Sequence, residues 1–400
     1  AEMCNNNGTC RKFNVGVMCP SYRVTRDEQH VTRGRANTLR LALTGQLGPD
    51  AMASDEVFET LKLCVSCKGC RRECPTGVDI AKMKIEALAA RSVRHGIPAR
   101  ERLLAALPRL GPWASRFGPI ANTRNSMPAL AGLSQRWLGL AAQRPLPEWR
   151  RDSFRDQEAD GPAGLRGDVW LFADTFNRYF EPENLRAAIR VLRSAGYRPL
   201  VPRSGKRPLC CGRTRLAAGQ VEKARGEVRR MVAALAGDQP VIGLEPSCLF
   251  TLRDEFPALL PGSETRALAG RAFMLDEFLV REQAIPAAKP LKATAHVHGH
   301  CHQKAFGAYP AMLSALWAVP GLTIKPIDAS CCGMAGSFGY QAETYEISKA
   351  MAELSLLPAV RAAGEQDLIV AAGTSCRHQI RDLSGRPALH PVRVLAQALQ

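Results

Sequence analysis

Cys64-Val-Ser-Cys67-Lys-Gly-Cys70-Arg-Arg-Glu-Cys74-Pro75 has the spacing C-x2-C-x2-C-x3-C-P, the bacterial-type run for a cubane iron–sulfur cluster. The first three thiolates lie on one tight turn and reach three irons of one cube. The fourth follows a longer step, and Pro75 turns the chain away so that Cys74 faces a different cluster. A zinc knuckle needs two CxxC pairs set a loop apart, not four cysteines this close together. Four inert structural cysteines are a poor fit beside Lys68, Arg71 and Arg72.

Upstream, Cys4-Asn-Asn-Asn-Gly-Thr-Cys10 and Cys19-Pro20 repeat the same motif in degraded form, with Asn7 where the second Cys would stand. When two such runs share a domain, each fourth Cys crosses to the other cube. Cys64, Cys67, Cys70 and Cys19 then make a full set of four thiolates for a [4Fe-4S] cluster. Cys4, Cys10 and Cys74 make a set of three, expected to hold a [3Fe-4S] cluster or a cube whose odd iron takes Asn7 or solvent. Between the motifs, Arg33 and Arg35 are candidate hydrogen-bond donors to sulfur. Apolar spacing predicts helices over 55–63 and 79–95, the second with Asp79 as N-cap and Gly96 and Pro98 as its stop. Residues 1–99 thus read as a helical, two-cluster ferredoxin-like domain.

The whole chain has 400 residues, 46% of them hydrophobic, enough for several cored domains. Its fourteen cysteines fall in CxxC and Cys-Cys groups rather than in a small secreted framework, and no signal-peptide pattern precedes them. The reducing cytoplasm is the expected compartment. No run of apolar residues is long enough to span a membrane. The net charge of +17 raises nucleic-acid binding, but Lys and Arg are dispersed rather than gathered on one recognition helix, and no nucleic-acid partner is expected. The chain opens at Ala1, not Met, so it reads as part of a longer polypeptide.

Residues 100–165 form a basic amphipathic linker. Within 100–151 nine Arg stand against Glu101 and Glu148, interleaved with Trp113, Phe117, Ile120, Leu130, Leu133 and Trp137. Packing of that apolar face on the chain's own domains is the expectation. Peripheral contact with the inner face of a membrane, or with an acidic partner, is the alternative.

From 166 the chain repeats itself. Strand, helix, strand, Cys210-Cys211-Gly212, a long helix across 215–236, a strand and Pro246-Ser247-Cys248 fill 166–288. The same order with Cys301, Cys331-Cys332-Gly333, a helix at 343–362 and Ser375-Cys376 fills 289–400. Two α/β cysteine-rich (CCG) repeats with parallel sheets follow, their cysteines at strand ends where such sheets bind ligands. Adjacent thiolates do not readily chelate one iron but bind different metals, and the following Gly lets backbone approach. Cys301, Cys331, Cys332 and Cys376 are a full set for an iron–sulfur cluster or zinc. Cys210, Cys211 and Cys248 are candidate metal ligands as well, but lack a fourth thiol, with Asp174 or Thr175 near its place; they hold metal with an outside ligand, pair with the other unit, or are vestigial buried thiols. His296, His298, His300 and His302 alternate around Cys301; were the strand to persist, all four would share the face opposite it. His300, His302 and His378 sit nearest the ligand cysteines. No catalytic triad or nucleotide fingerprint is visible, so no catalytic residue is expected.

With these motifs assembled, the chain resembles the iron–sulfur region of FAD-linked D-2-hydroxy acid dehydrogenases of the D-lactate and D-2-hydroxyglutarate type. The likeness rests on Gly16–Tyr22, Thr32–Asn37, Cys64–Pro75, Gly243–Cys248, His300–Lys304, Ser330–Gly339 and Ser375–Gln379. The cysteine-pair unit is also similar to cysteine-rich subunits of heterodisulfide reductase, of anaerobic glycerol-3-phosphate dehydrogenase and of glycolate oxidase. Thr251 and Gln379 stand where a full unit of those relatives carries a further Cys. The resemblance implies that an FAD-binding oxidase domain, upstream or on another chain, oxidises the hydroxy acid. This region would relay the electrons to a quinone or other carrier. A thiol- or disulfide-reducing subunit of the heterodisulfide reductase type is the alternative.

Overall fold

The computed structural model describes residues 1–13, 16–203, 205 and 207–399. The first 138 residues are helical. Ser54 accepts from the Val57 N–H to start the helix Asp55–Lys62, and Asp79 accepts from the Lys82 N–H to start Ile80–His95, which ends at Gly96 with φ 74°. These are ordinary side-chain caps for otherwise orphaned amides.

The helix Ala99–Arg116 shows a reversed economy of size. Its inward stripe is small: Ala105, Pro108, Gly111 and Ser115 are buried, and Gly111 lies against the Tyr179 ring. Leu104 and Leu107 are half-buried beside that stripe, and the other large apolar side chains of this stretch point outward. Trp113, Phe117 and Ile120 are 68%, 50% and 71% exposed, and Trp137 of the helix Pro128–Leu138 is 73% exposed. The expectation that this segment packs its apolar face inward is therefore corrected. Small residues bring the helix backbone close, and both tryptophans, Phe117 and Ile120 are left facing solvent.

Two all-parallel sheets follow. The first has strands β1 (Gly167–Leu171), β2 (Tyr197–Leu200), β3 (Val241–Gly243) and β4 (Ala272–Met274) in the order β2-β1-β3-β4. The second has β5 (Ala293–His298), β6 (Leu322–Ile327) and β7 (Leu368–Ala371) in the order β6-β5-β7. In each, the first strand lies between the second and the third, so the repeat read from sequence is a repeat in space. β4 was not expected from the sequence. The two long helices expected after the paired cysteines are each broken. Arg213–Ala217 and Val221–Ala234 part at Gly219 (φ 69°), which abuts the Leu88 carbonyl, and Tyr345–Glu353 parts from Leu356–Arg361. One hydrophobic core runs through both sheets, joining Val169, Leu171 and Leu185 to Val297, Leu316 and Val370. The closing helix Pro391–Ala398 packs across onto Pro182–Ser194. Among the described residues no helix is long and apolar enough to cross a membrane.

Candidate iron–sulfur site

Cys4, Cys10, Cys19, Cys64 and Cys70 lie in one buried cluster, with Cys74 packed against it. All fourteen cysteines are free thiols. Cys19, Ser66 and Lys68 take positive φ (52°, 49° and 61°), which coils both motif loops tightly. Two helix N-termini are aimed at the sulfurs. At the start of Thr32–Leu43, the Thr32 N–H donates to Cys19 Sγ at 3.1 Å and the Arg33 N–H reaches Cys10. The Ile80 N–H, first in its helix, reaches Cys70. Amides and helix dipoles so placed favour negative charge. Burial pushes the Cys19 thiol up to about 11 and Cys70 up to about 12. A metal that takes the proton's place removes that penalty. Burial also acts to raise Cys74, but bonds from the Thr76 hydroxyl and nearby amides outweigh it and bring that thiol below its ordinary value. This donor set suits iron–sulfur clusters.

Cys70 lies near Cys64 and Cys19, Cys4 near Cys10, Cys19 also near Cys10, and Cys67 near Cys301, Cys70 and Cys331. Asn7 is exposed and spends its side chain on Asn5 (2.5 Å) and Thr9 (2.9 Å); the nearest oxygen to Cys4 Sγ is Asn6 Oδ1 at 3.9 Å. The side chains of Arg33 and Arg35 are used elsewhere. Arg33 pairs with Glu28, and Arg35 donates to the Thr60 carbonyl and to Ser21 Oγ. The sulfur donor at this end is thus the Arg33 backbone, which residue type alone does not announce.

Cys67, beside Cys70, also faces the second repeat. It shares a buried cluster with Val17, Val65 and Cys331, against which Cys301 packs. His302 Nε2 donates to the Ser66 carbonyl at 3.0 Å. The next loop residue, Lys68, is buried and bonded to Asp254 and Glu255 of the helix Pro246–Leu259, while Arg71 and Lys82 also reach Asp254. Burial alone would raise the Asp254 carboxyl; the Lys68 and Lys82 charges outweigh it and hold it at about 2. The cluster loop therefore meets the second sheet through sulfur and the first through charge.

The paired-cysteine sites are near copies. Gly212 N–H donates to Cys210 Sγ at 3.3 Å, and Gly333 N–H to Cys331 Sγ at 3.4 Å. Cys210, Cys211 and Cys248 hydrogen-bond in series, as do Cys301, Cys331, Cys332 and Cys376. Cys248 and Cys376 are each third in their helices, Pro246–Leu259 and Thr374–Ser384. Cys301 opens the helix Cys301–Ala305 behind the N-cap His300; Thr175 opens Thr175–Tyr179 behind the N-cap Asp174. Thr175, not Asp174, thus occupies the place of the missing thiol. Among the described residues no three His, Cys, Asp or Glu side chains are gathered to hold a single metal ion.

β5 ends at His298, so the four histidines do not share a face. His296 pairs with Asp367 at 2.9 Å, His298 is fully buried, and His300 accepts from the His302 N–H. His378 Nδ1 meets Tyr340 Oη at 3.0 Å. Thr251 Oγ1 donates to the Ser247 carbonyl, and the buried Gln379 bonds Arg144 and Ser348, so neither is held free as a ligand.

Residues 1–78 match the 4Fe-4S dicluster domain family, and residues 174–253 and 295–381 match the cysteine-rich domain family. D-2-hydroxyglutarate dehydrogenase of Escherichia coli (strain K12) is 25% identical over 100% of this chain and 44% of its own length. A subunit of anaerobic glycerol-3-phosphate dehydrogenase from the same organism is 29% identical, over 72% of this chain and 74% of its own. Lactate utilization protein A of Geobacillus kaustophilus (strain HTA426) is 27% identical, over 57% and 95%. The chain spans less than half the length of the hydroxyglutarate dehydrogenase. With thiol donors, helix termini and both domain matches in agreement, the chain is an iron–sulfur module that joins a 4Fe-4S dicluster domain match to two cysteine-rich (CCG) domain matches.

Proposed function

We propose that the chain is the electron-transfer part of an FAD-dependent D-2-hydroxy acid dehydrogenase, acting on D-2-hydroxyglutarate or D-lactate with an FAD-binding oxidase domain as partner. Its units are 1–99 (helical, two clusters), 100–165 (linker), 166–288 and 289–400 (repeats). The observation that carries this reading is the shared buried cluster of Cys67 and Cys331, with Cys301 packed against it, which sets the dicluster loop against the second repeat. Bound iron–sulfur clusters supply single-electron carriers at these thiols. Cys64, Cys67, Cys70 and Cys19 hold one; Cys4, Cys10 and Cys74 hold another with three thiolates; Cys301, Cys331, Cys332 and Cys376 hold a third. Lys304, whose ammonium lies near Cys301 and Cys331, offsets negative charge there, whereas Cys248 faces Asp174 and Glu245. Cys210, Cys211 and Cys248 are read as structural thiols.

The isolated, iron-loaded chain is expected to leave both hydroxy acids untouched, and its visible bands to bleach when a flavoprotein dehydrogenase and its hydroxy acid are added. Oxidation of the acid by the chain alone would contradict the proposal.

Membrane contact belongs to the same reading. Along Ala99–Arg116 and its C-cap Phe117 the exposed stripes Leu103, Leu110, Phe117 and Arg102, Arg109, Arg116 recur every seven residues beside Trp113, the composition of an interfacial helix. Flotation with anionic vesicles is expected for the wild type and lost in Trp113→Ala/Trp137→Ala. Equal flotation of both would remove the membrane from the account.

A further inference from the structure

The helix Thr374–Ser384 presents Cys376, yet its N-cap is Gly373, which has no side chain to cap it. A Cβ at Gly373 would run into His300 Cδ2 and lie 3.4 Å from Cys376 Sγ. The His300 ring therefore excludes a capping side chain at that place, and the first amides of the helix need a partner from elsewhere. Arg377 folds back over the same helix start onto the carbonyls of Ala371 (2.9 Å) and Ala372 (2.7 Å). It puts a positive charge at a helix N-terminus, which favours a negative one.

The first repeat answers both needs. Glu245, at the end of its third strand, is 3% exposed. Its Oε1 accepts from the Ser247 N–H (3.3 Å) and hydroxyl (2.8 Å) at the start of Pro246–Leu259, and its Oε2 accepts from the Thr374 N–H at 2.9 Å. One carboxylate thus caps the Cys248 helix and the Cys376 helix together, within electrostatic reach of both sulfurs. Glu181 accepts from Arg377 Nε at 2.9 Å and from the Thr374 hydroxyl at 3.1 Å. Burial would raise the Glu181 carboxyl, but Arg377 outweighs it and holds it at about 2. Counted from Thr175 and Cys301, Glu181 matches Gly307; counted from Cys248 and Cys376, Glu245 matches Gly373. Neither glycine can return the contact. The acids pass from the repeat that lacks the fourth thiol to the one that has it.

We propose that Glu245 is a positioning residue for the second-repeat cluster, a carboxylate from the first repeat that seats Cys376 and holds that centre's reduction potential down. The inference rests on the electron-transfer reading above, in which Cys301, Cys331, Cys332 and Cys376 hold a cluster, and it gives the first repeat a part in that centre. A fixed negative charge beside a cluster disfavours the incoming electron, and an outer hydrogen bond orients the ligand.

The test is a redox titration of the air-free, iron-loaded chain followed by electron paramagnetic resonance; the second-repeat signal is the one missing from Cys332→Ser. Glu245→Gln keeps the shape of the side chain and an oxygen for the Thr374 amide, and removes the charge. Thr374→Pro keeps the charge and removes the capped amide; Pro246 stands at the same helix position in the first repeat, where proline is tolerated. Glu227→Gln alters a buried acid of the first repeat that pairs with Arg207 and Arg230, and controls for a general loss of stability. Glu245→Gln should make the second-repeat centre about tenfold easier to reduce, which is about 59 mV for one electron. The dicluster potentials, and every potential in Glu227→Gln, should stay where they are. In Thr374→Pro a chelator should take the second-repeat iron about tenfold faster than in wild type, with dicluster iron released as before. An unmoved potential in Glu245→Gln, or an equal shift in Glu227→Gln, would overturn the assignment and leave the electron-transfer reading standing. Should Glu245→Gln not fold, wild-type iron release from Thr374→Pro would overturn it instead. A wild type that holds iron but gives no signal dependent on Cys332 would overturn the reading of those thiols, and the inference with it.

Discussion

The two cysteine-rich repeats have the same strand order and the same Cys-Cys-Gly turn, yet they grip the cluster loop by different means. The first holds Lys68 by Asp254 and Glu255; the second meets Cys67 with Cys301 and Cys331, and Ser66 with His302. Their divergence is concentrated at the helix that follows the first strand, where Asp174-Thr175 stands in one and His300-Cys301 in the other. The two sites differ there by a single thiol. On the proposed reading the same shape occurs twice and carries metal in the second copy alone.

The widest gap between the copies is in metal content. Cys301→Thr makes the second repeat match the first at its one missing thiol, and all iron beyond that of the dicluster domain should be lost; Cys211→Ser should lose none. Iron and acid-labile sulfide analysis of air-free preparations checks both, and equal loss would erase the distinction.

The next effect is on stability. Asp254→Asn leaves the buried Lys68 ammonium with one partner fewer, and chemical denaturation should show a loss of about 3–5 kcal/mol, the range for a broken buried pair. Because the Asp254 pKa is held below that of an unfolded Asp, this contribution is present at neutral pH and is lost as pH falls through about 2. The wild-type acid unfolding curve should steepen between about pH 4 and 2 relative to Asp254→Asn, the lower limit being the folded-state pKa and the upper the unfolded one. Parallel curves would sever the loop from its charged anchor.

A smaller effect belongs to the second grip. His302→Leu removes one hydrogen bond to the loop, about 1 kcal/mol of stability. It should also weaken the magnetic coupling between dicluster and second-repeat centres in the reduced electron paramagnetic resonance spectrum. A stability loss without a spectral change would make His302 a packing residue only.

Much of this plan was legible in the chain. The Cys64–Pro75 spacing, the degraded copy around Cys4–Cys19 and the doubled Cys-Cys-Gly order each carry chemistry in fixed spacing, and the families matched over 1–78, 174–253 and 295–381 bear that reading out. What escaped was nonlocal or carried by backbone. The amides of Thr32 and Ile80 act through their position at helix starts, not through residue type. Lys68 and Asp254 are far apart in sequence, and no local pattern pairs them. The orientation of Ala99–Arg116 was misread because amphipathic spacing does not say which stripe faces in; the small residues did, against Tyr179. The histidine alternation failed because β5 ends at His298, where His300 begins to cap a helix.

The central claim is that thiols of the dicluster loop and the second repeat hold neighbouring clusters that exchange single electrons. The most direct measurement is electron paramagnetic resonance of the air-free chain during stepwise reduction, for wild type and Cys332→Ser. The account predicts iron–sulfur signals in both, with interaction broadening at full reduction in the wild type and none in Cys332→Ser. A preparation without iron and sulfide, or a spectrum identical in the two proteins, would contradict it.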